Sequence, residues 1–591
     1  MGSKHGAASS AGARSTDRST PGRDLLVLLG VSGAVLVVSC LTSIAIKIDS
    51  CEYVELARAL SVGQFTAIHA HDYPPLYPLL IAFAHEVIPD WTVAGQFVTA
   101  LSTWLCLVPL YRIGRMAIGR DAAFAGALLF AMHPLVVEWG GMVVSDGPYL
   151  LVWLFSLQYA ILAAHRRKLT DYGLCGALSG LAYLIRPEGL QSLVVLAILV
   201  VATKGSWTRR AGGLVLAGTL CAVTMAPYAG ILSYNAGYVV LSKKKAILQF
   251  PQLRFKEMVL LPLASALPQD LAPPPITDPT DATQVAAFHR DVRRRWIEAE
   301  ALALEYKRLA QAQRLVPDDG DSWPIPGSSA QRITFDTITD APQAAPPRGK
   351  FLLEFAEKFH PFPFALLVVG VAWATYRAVR RTLPRSLATW GLALGFAIHL
   401  VLVLDNNVRH GYLSERHLIP LTAVGLLGAA IPLVALEQRI ARAAANLAWL
   451  APHASRVPGL ATIALVLILG IDSLRPRGRD KDYLALLSNA ISRQDPRGLG
   501  IDGVIGREPR LAFYADVVDD KFDPWRGYRE VIRQLYQHQC RYVAVPTEDR
   551  YRLVPLIELG WLRPVVAPNL ELPAGKPLHV YEATFYRPLA H

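Results

Sequence analysis

The sequence is poor in charge for its length. Of its 591 residues only 18% are Asp, Glu, Lys or Arg, against about 25% in a typical soluble protein. Cysteine is also scarce: there are six residues, and none has the Cys-x-x-Cys spacing that indicates a zinc site. Hydrophobic residues make up 52%, and the mean hydropathy is +0.31. This composition excludes a single soluble globular domain, a fibrous protein and a disordered chain.

Charged residues are missing from eleven apolar runs, each 14 to 23 residues long. A helix that crosses a bilayer needs about 20 mostly apolar residues, and helices satisfy their own backbone polar groups. The sequence therefore predicts an α-helical polytopic membrane protein with about 11 transmembrane helices. The runs cover residues 25–46, 94–111, 122–137, 149–164, 172–185, 189–203, 211–233, 361–376, 386–404, 418–436 and 457–471.

The connections between these runs alternate in charge. One set holds 20 Lys or Arg against two acids; it comprises residues 1–23, 112–120, 165–170, 204–210, 377–385 and 437–456. The other set holds five basic and ten acidic residues; it comprises 47–93, 139–148, 186–188 and 405–417. Basic loops stay in the cytoplasm, so we expect a plasma (inner) membrane protein with its amino terminus inside and its carboxy terminus outside. This topology explains the net charge of +12, and no nucleic-acid partner is expected.

The predicted topology divides the chain into a disordered cytoplasmic tail, 1–24, a transmembrane module, 25–475, and an extracytoplasmic domain, 476–591. Two loops of the module lie outside, 47–93 and a long insertion, 234–360. Residues 51–60 are predicted to form an amphipathic helix, and periodicity predicts another over 284–315, either a solvated insertion or a cover for the site. In 476–591, strand patterns at 503–506, 511–514, 541–545, 564–567 and 579–583 alternate with helical patterns at 483–492, 528–537 and 553–559. That alternation predicts a small accessory α/β domain.

Polar residues collect at the outer ends of the apolar runs. The fifth run has 14 residues, which as a helix would span about 21 Å of a hydrocarbon core about 30 Å thick. The Arg186-Pro187-Glu188 turn that follows should therefore lie below the outer surface. Charges at that depth need partners or a water-filled cavity. We infer an outward-opening polar cavity, formed by Asp49, His69, His71, Asp72, Asp146, Arg186, Glu188, Asp405, Arg409, Glu415, Arg416 and His417.

Such a cavity suits an anionic lipid headgroup together with a hydroxyl or amine acceptor. Arginine holds phosphate through paired hydrogen bonds, and a carboxylate can take the proton of the acceptor. Nucleotide sugars are not readily supplied outside the membrane, so we expect a lipid-linked sugar as the donor.

Five short segments resemble a known family, the glycosyltransferase C superfamily. They are Asp49 after the first run, Tyr73-Pro74-Pro75-Leu76-Tyr77-Pro78, Ser145-Asp146-Gly147-Pro148, Arg186-Pro187-Glu188-Gly189 and Glu415-Arg416-His417-Leu418-Ile419-Pro420. Within the superfamily they are most similar to the dolichyl-phosphate-mannose protein mannosyltransferases and the bacterial aminoarabinose transferases. The resemblance covers about residues 25–475 in layout, and 476–591 resembles the extracytoplasmic domains of bacterial members.

The resemblance implies an inverting transfer of a sugar from a polyprenyl-phosphate donor to an extracytoplasmic protein, lipid or glycan. Asp49 matches the first-loop acid, a general base or acceptor-orienting group, and Asp146 matches the acid at the start of the fourth run. Arg186 and Arg416 would contact phosphate by position and charge. The further substrate-binding candidates are Asp72, His71, Tyr73 and Glu188.

Two positions depart from the family pattern. Ser50 follows Asp49 where a second acid is frequent, and Tyr73 replaces the lysine that aminoarabinose transferases use as a phosphate contact. The phosphate contact then falls to Arg186, to Arg416 or to the lysines at 243–245.

Other interpretations stay open at this point. Asp49 and Asp146 could simply cap helices, Arg186 could pair with Glu188, and Arg416 could anchor at the membrane interface. No metal ligands are assigned and no cofactor is certain, although a divalent cation is possible. The alternative functions are a transferase or ligase with a diphosphate-linked donor, and a lipid or sugar transporter.

Overall fold

The computed structural model describes the membrane module in most of its length. The described residues are 21–42, 46–65, 67–70, 73–204, 206–236, 239–243, 249–250, 322–323, 333–334, 359, 361–379, 386–410, 415–446 and 459–474, followed by 503–506, 519–521, 540–546, 557, 562–564 and 578–583.

Each of the eleven apolar runs overlaps at least one helix. The first eight helices are α1 (Pro21–Thr42), α2 (Ile48–Ser61), α3 (Ala67–Ala70), α4 (Leu76–His85), α5 (Trp91–Leu105), α6 (Leu107–Ile118), α7 (Arg120–Ala131) and α8 (Pro134–Gly140). The next eight are α9 (Asp146–Arg166), α10 (Leu169–Tyr183), α11 (Gln191–Ala202), α12 (Trp207–Ala236), α13 (Pro361–Val379), α14 (Leu387–His410), α15 (Ile419–Ala445) and α16 (Leu460–Ser473). Two 3₁₀ turns, Pro187–Leu190 and Glu415–Leu418, precede α11 and α15.

Among the described residues, six helical segments are long and apolar enough to cross a membrane. A seventh is formed if α7 and α8, which meet at a bend of 55°, count as one broken span. Other apolar helices are shorter, such as Pro187–Ala202 and Leu460–Ser473. The chain is therefore a multi-pass helical membrane protein, as the sequence predicts.

Small residues let the helices of this module approach one another closely. A Cβ atom on Gly176 of α10 would overlap the backbone of Ala217 in α12, and one on Gly180 would lie 2.9 Å from the carbonyl oxygen of Cys221. Close packing of this kind is how helices associate in lipid, where the hydrophobic effect does not drive them together. The buried α9 lies among α5, α10 and α11 and contributes Tyr149 and Trp153 to the core.

Residues 47–93, which were predicted to form the first outer loop, are mostly helical. The predicted helix over 51–60 is confirmed as α2, but it begins at Ile48, so Asp49 lies in its first turn. Residues 73–75 are not helical, and α4 follows them. Its apolar sequence LYPLLIAFAH is only ten residues long, which is too short to span a bilayer and was not predicted as a helix.

The described strands beyond residue 500 are β5 (Gly503–Gly506), β6 (Asp519–Lys521), β7 (Cys540–Pro546), β8 (Leu562–Pro564) and β9 (Leu578–Ala583). They form a mixed five-stranded sheet in the order β6-β5-β7-β9-β8. β5 pairs in parallel with β6 and β7, and β9 pairs antiparallel with β7 and β8. Four of the five predicted strands overlap them, whereas β6 was not predicted. The predicted strand 511–514 and the predicted helices over 483–492 and 528–537 lie outside the described residues, as does all but residue 557 of the one over 553–559.

Two short hairpins lie within the 234–360 insertion. β1 (Val239–Val240) pairs antiparallel with β2 (Gln249–Phe250), and β3 (Ser322–Trp323) pairs antiparallel with β4 (Ile333–Thr334). The predicted helix over 284–315 lies outside the described residues.

Candidate active site

Five charged side chains form a chain of alternating sign at one end of the helix bundle. The guanidinium of Arg416 contacts the carboxylate of Asp49, and its Nε lies 3.4 Å from Oδ2 of Asp146. Arg186 donates to the other oxygen of Asp146, and its Nε lies 3.8 Å from Oε2 of Glu188. All five were candidates in the sequence, where they stand in four separate segments. The structure brings them together.

Each of these side chains stands at the beginning of a helix or in the turn before it. Asp146 is the first residue of α9, where the helix dipole favours a carboxylate. Arg186 has an extended backbone, with φ −150° and ψ 136°, as expected for a residue that precedes proline. Arg416 lies in the 3₁₀ turn before α15. The amino-terminal ends of α2, α9, α11 and α15 therefore converge on one polar centre.

Ser50 explains how α2 is held over this centre. Its buried hydroxyl donates to the carbonyl oxygen of Val143 at 2.7 Å and accepts from the backbone N–H of Lys47 at 3.2 Å. Val143 lies just before Asp146, so this contact fixes the first turn of α2, with Asp49, against the start of α9. The serine that departs from the family pattern thus has a structural role here.

Exposure falls from one end of the ion-pair chain towards its middle. The side chain of Asp49 is 30% exposed, that of Arg416 is 14% exposed and that of Asp146 is 2% exposed. Asp49 is therefore the most accessible of the three carboxylates, whereas Asp146 is enclosed between the two arginines.

A tyrosine on α2 joins the same cluster. Arg416 donates to Oη of Tyr53 at 3.2 Å, and that oxygen lies 2.8 Å from Oγ of Ser145. Burial raises the pKa of Tyr53 well above its usual value, so the phenol keeps its proton and can donate it to Ser145. The ring of Tyr73 lies 4.5 Å from that of Tyr53, which brings the predicted substrate-binding tyrosine to the edge of the cluster.

Arg186 is held in its charged form. Burial alone would lower the pKa of its guanidinium, but Asp146 and Glu188 hold that pKa above the ordinary value. The guanidinium carbon also lies 5.6 Å from the ring centroid of Tyr149, a cation–π distance. A permanent cation is thus fixed next to the buried carboxylate.

A cavity opens beside the two arginines. Its lining combines both guanidiniums and the carboxylate of Glu188 with the apolar side chains of Leu402, Val403 and Pro420. The lining residues are Tyr149, Arg186, Glu188, His399, Leu402, Val403, Arg416, His417 and Pro420.

The remaining candidates are placed less completely. His71 and Asp72 lie outside the described residues, as do Lys244 and Lys245. His69 belongs to the short helix α3, but only its backbone is described, and Lys243 follows β1 with its side chain half-buried. Within the described part of the chain, no group of three or more His, Cys, Asp or Glu could hold a metal ion. Asp49 and Asp146 are both paired with arginine, so this donor set does not fit a cation.

Sequence reasoning missed three polar residues of the site. Tyr53 lies four residues after Asp49, and Tyr149 lies three residues after Asp146, so each shares a helix face with the acid before it. Gln191 begins α11 directly after the Arg186 turn, and its amide donates to Oη of Tyr149 at 2.7 Å. Helical spacing from the two acids could have identified the tyrosines.

Comparisons with known proteins agree with this architecture. Residues 72–231 match the family model of the dolichyl-phosphate-mannose-protein mannosyltransferases. No curated protein is significantly similar to the sequence. The structure of ArnT from Cupriavidus metallidurans bound to undecaprenyl phosphate has a TM-score of 0.51 at 13% identity, over 95% of this chain and 98% of that one.

An archaeal enzyme gives a similar result. The oligosaccharyltransferase AglB from Archaeoglobus fulgidus, in complex with an inhibitory peptide and a dolichol-phosphate, has a TM-score of 0.52 at 14% identity, over 93% of this chain and 75% of that one. At such low identities the likeness concerns the fold. Together with the family match over 72–231, it confirms the resemblance found in the sequence: this chain has the fold of the glycosyltransferase C superfamily.

Proposed function

We propose that this protein is an integral-membrane glycosyltransferase that moves a sugar from a polyprenyl-phosphate donor to a hydroxyl or amine of an extracytoplasmic acceptor. The observation that carries the proposal is the arrangement of two half-buried arginines around one cavity, with a more exposed carboxylate, Asp49, paired to one of them. The mannosyltransferase family match and the lipid phosphates bound to ArnT and AglB support a lipid-linked donor.

The residues that line the cavity match both the phosphate and the isoprenyl chain of such a donor. Arg186 and Arg416 would bind the phosphate, since guanidinium groups suit phosphate oxygens. The apolar lining residues Leu402, Val403 and Pro420 would contact the first isoprenyl unit. The sugar would then project towards Asp49, with Glu188 and Tyr73 at its edges. Asp72 and His71 stay candidates for contacts with the acceptor.

The reaction is a single displacement with inversion. The acceptor oxygen or nitrogen forms a bond to the anomeric carbon while the bond from that carbon to the phosphate oxygen breaks. Asp49 takes the acceptor's proton, which contributes about 10²- to 10⁴-fold to the rate. The leaving phosphate gains negative charge, and Arg186 and Arg416 stabilise that charge in a site of low dielectric.

Donor binding also prepares the base. In the structure Asp49 is engaged by Arg416, and a carboxylate held in an ion pair is a weaker base. A donor phosphate would compete for Arg416 and release Asp49 to meet the acceptor. Before the donor arrives, Asp146 balances the charge of both arginines, between which it lies. We therefore expect the donor to bind before the acceptor.

The proposed organisation follows the sequence. The predicted boundary between the cytoplasmic tail, 1–24, and the catalytic module, 25–475, moves to residue 21, where α1 begins. The module has about 11 transmembrane helices, an outer loop, 47–93, and an insertion, 234–360. Residues 476–591 form an accessory α/β domain outside the plasma membrane. The charge of the loops supports an amino terminus inside and a carboxy terminus outside.

The test is transfer of label from a panel of polyprenyl-phosphate monosaccharides to total membrane lipid and protein, with purified protein in detergent. Wild type should give a product with at least one donor, and Asp49→Asn should give none. Asp121→Asn makes the same charge change at an exposed position in α7 and should retain activity.

The other outcomes are distinct. A product only from diphosphate-linked donors would replace the proposed donor class. Movement of a lipid-linked sugar across empty proteoliposomes, with no covalent product, would identify a transporter instead. Full transfer by Asp49→Asn would contradict the role of Asp49 as the base.

A further inference from the structure

A second set of contacts links the surroundings of Arg186 to those of Arg416. It consists of hydrogen bonds between neutral groups. The amide Nε2 of Gln191 donates to Oη of Tyr149 at 2.7 Å and lies 3.2 Å from Nδ1 of His399. Nε2 of His399 lies 3.1 Å from the carbonyl oxygen of His417. These residues come from α9, α11, α14 and the 3₁₀ turn before α15.

The partners determine which atom of His399 carries the proton. The carbonyl oxygen of His417 can only accept a hydrogen bond, so Nε2 of His399 must be its donor. In the neutral ring Nδ1 is then an acceptor, and the second N–H of the Gln191 amide can donate to it. Every hydrogen bond in the series has one donor and one acceptor, and the series runs from Tyr149 to the 415–418 turn.

The two ends of this series lie beside the two arginines. Tyr149 places its ring 5.6 Å from the guanidinium carbon of Arg186. His417 follows Arg416 directly in the same turn. Arg186 and Arg416 are thus connected twice: through the charged Asp146, and through Tyr149, Gln191 and His399.

These connecting side chains are deeply buried. Tyr149 is 1% exposed, and Gln191 and His399 are each 4% exposed. Polar side chains inside a membrane bundle are costly, so their presence there indicates a function. Core packing alone would be served by leucine or phenylalanine.

We propose that His399 is a positioning residue that fixes the 415–418 turn, and with it the spacing of Arg186 and Arg416, so that both can bind one phosphate. This inference rests on the proposed function. A donor phosphate would rearrange the ion pairs around Asp146, because it competes with the carboxylates for both guanidiniums. The neutral series has no such competition and keeps the two arginines in place during the exchange.

Three variants separate this role from simple packing. His399→Phe keeps the ring volume and removes both hydrogen bonds. His399→Gln restores a donor at the position of Nε2 and so can still reach the carbonyl of His417. The matched control is His133→Phe, because His133 is 1% exposed and its Nε2 lies 2.9 Å from a different backbone carbonyl, that of Phe359.

The measurements are the Kd for undecaprenyl phosphate and hydrogen exchange of the backbone over 415–420. Loss of the hydrogen bond in His399→Phe should raise the Kd about fivefold to tenfold and speed exchange in this segment. His399→Gln should restore both values to near those of wild type. His133→Phe should change neither, whatever its effect on thermal stability.

The outcomes distinguish the two proposals. Unchanged exchange over 415–420 in His399→Phe would overturn the positioning role, as would equal effects of His399→Phe and His133→Phe on the Kd. If wild type binds no undecaprenyl phosphate, the proposed donor class is wrong. The proposal that Arg186 and Arg416 are spaced to bind its phosphate is then wrong as well. Faster exchange in His399→Phe would then still show that His399 holds the turn.

Discussion

At the scale of single residues, Asp146 is the centre of the site. Its carboxylate is almost fully buried and meets Arg186 with one oxygen and Arg416 with the other. A buried ion pair adds little net stability by itself, but removal of one partner leaves a charge without compensation in a site of low dielectric. Asp146 therefore permits two cations to lie close together, at the place where the proposed donor phosphate would bind.

Asp146→Asn should lower the free energy of unfolding by about 3–5 kcal/mol, since it leaves both guanidiniums without the carboxylate between them. The double variant Asp146→Asn/Arg186→Gln should recover part of this loss, because it also removes one of the two cations. Thermal unfolding in detergent measures both. A double variant less stable than Asp146→Asn would contradict this account of the pair.

Asp24→Asn is the matched control for the effect of Asp146→Asn on sugar transfer. Asp24 is a second buried carboxylate, and it accepts from Arg120 at 2.8 Å and from Tyr111. This cluster lies at the start of α1, outside the proposed site. Its variant should lose stability yet keep transfer wherever it stays folded, whereas Asp146→Asn should lose transfer as well.

At the scale of elements, the site depends on close packing between the turns that carry its charged residues and the helices that these turns contact. The turn after Arg186 packs on the end of α10, and Gly189 makes this contact possible. A Cβ atom at Gly189 would overlap the backbone of Ala182 and Tyr183. Backbone atoms cannot move aside as a flexible side chain can, so the turn itself would have to shift.

Gly189→Ala should therefore displace Arg186 and Glu188 and reduce transfer by about tenfold or more, since catalysis is sensitive to shifts of about 1 Å. Gly218→Ala is the control: Gly218 lies within α12, and a Cβ atom there meets nothing within 4 Å. That variant should keep full activity and gain slightly in stability, because alanine favours helices. Initial rates of transfer compare the two. Equal activity of both variants would show that the turn tolerates displacement.

Much of this element-level description could be predicted from the sequence. The eleven apolar runs identify the main helices, since a long uncharged run in lipid has few alternatives to a helix. The segment LYPLLIAFAH was missed, because ten apolar residues give no spanning signal. All five charged residues of the site were candidates, but nothing local indicates that Arg416 meets Asp49, 367 positions earlier in the chain. Such pairings come from tertiary packing.

The same limit applies to the neutral series. His399 is the one readily ionisable residue in the apolar run 386–404, and nothing near it in the sequence indicates what it contacts. In the structure it is buried, and its partners are Gln191 and the carbonyl of His417. Gln191 and His399 lie 208 positions apart, so only the packing of α11 against α14 reveals their contact.

At the scale of the whole molecule, the proposed site lies at one membrane face. Asp146 begins α9 and Arg166 ends it, and 21 helical residues span about 30 Å. The polar centre and the basic loop after α9 are therefore separated by about the thickness of the hydrocarbon core. The sign of the loop charges predicts that the first lies outside and the second in the cytoplasm.

Labelling with a membrane-impermeant maleimide tests this orientation. In a Cys540→Ser background, Ser61→Cys at the end of α2 should react in intact cells. Ser206→Cys, in the connection before α12, should react only after permeabilisation. Both serines are exposed, so their different access would come from the membrane. The reverse pattern would invert the topology and place the site in the cytoplasm.

The central claim is that a donor phosphate takes Arg416 from Asp49 and thereby frees the base. The most direct measurement is the Kd for undecaprenyl phosphate in wild type, Asp49→Asn and the control Asp121→Asn. Removal of the competing carboxylate should lower the Kd of Asp49→Asn about fivefold, equivalent to about 1 kcal/mol, while transfer is lost and Asp121→Asn binds as wild type. An unchanged or weaker affinity in Asp49→Asn would contradict the exchange, because it would mean that Asp49 and the phosphate do not compete for Arg416.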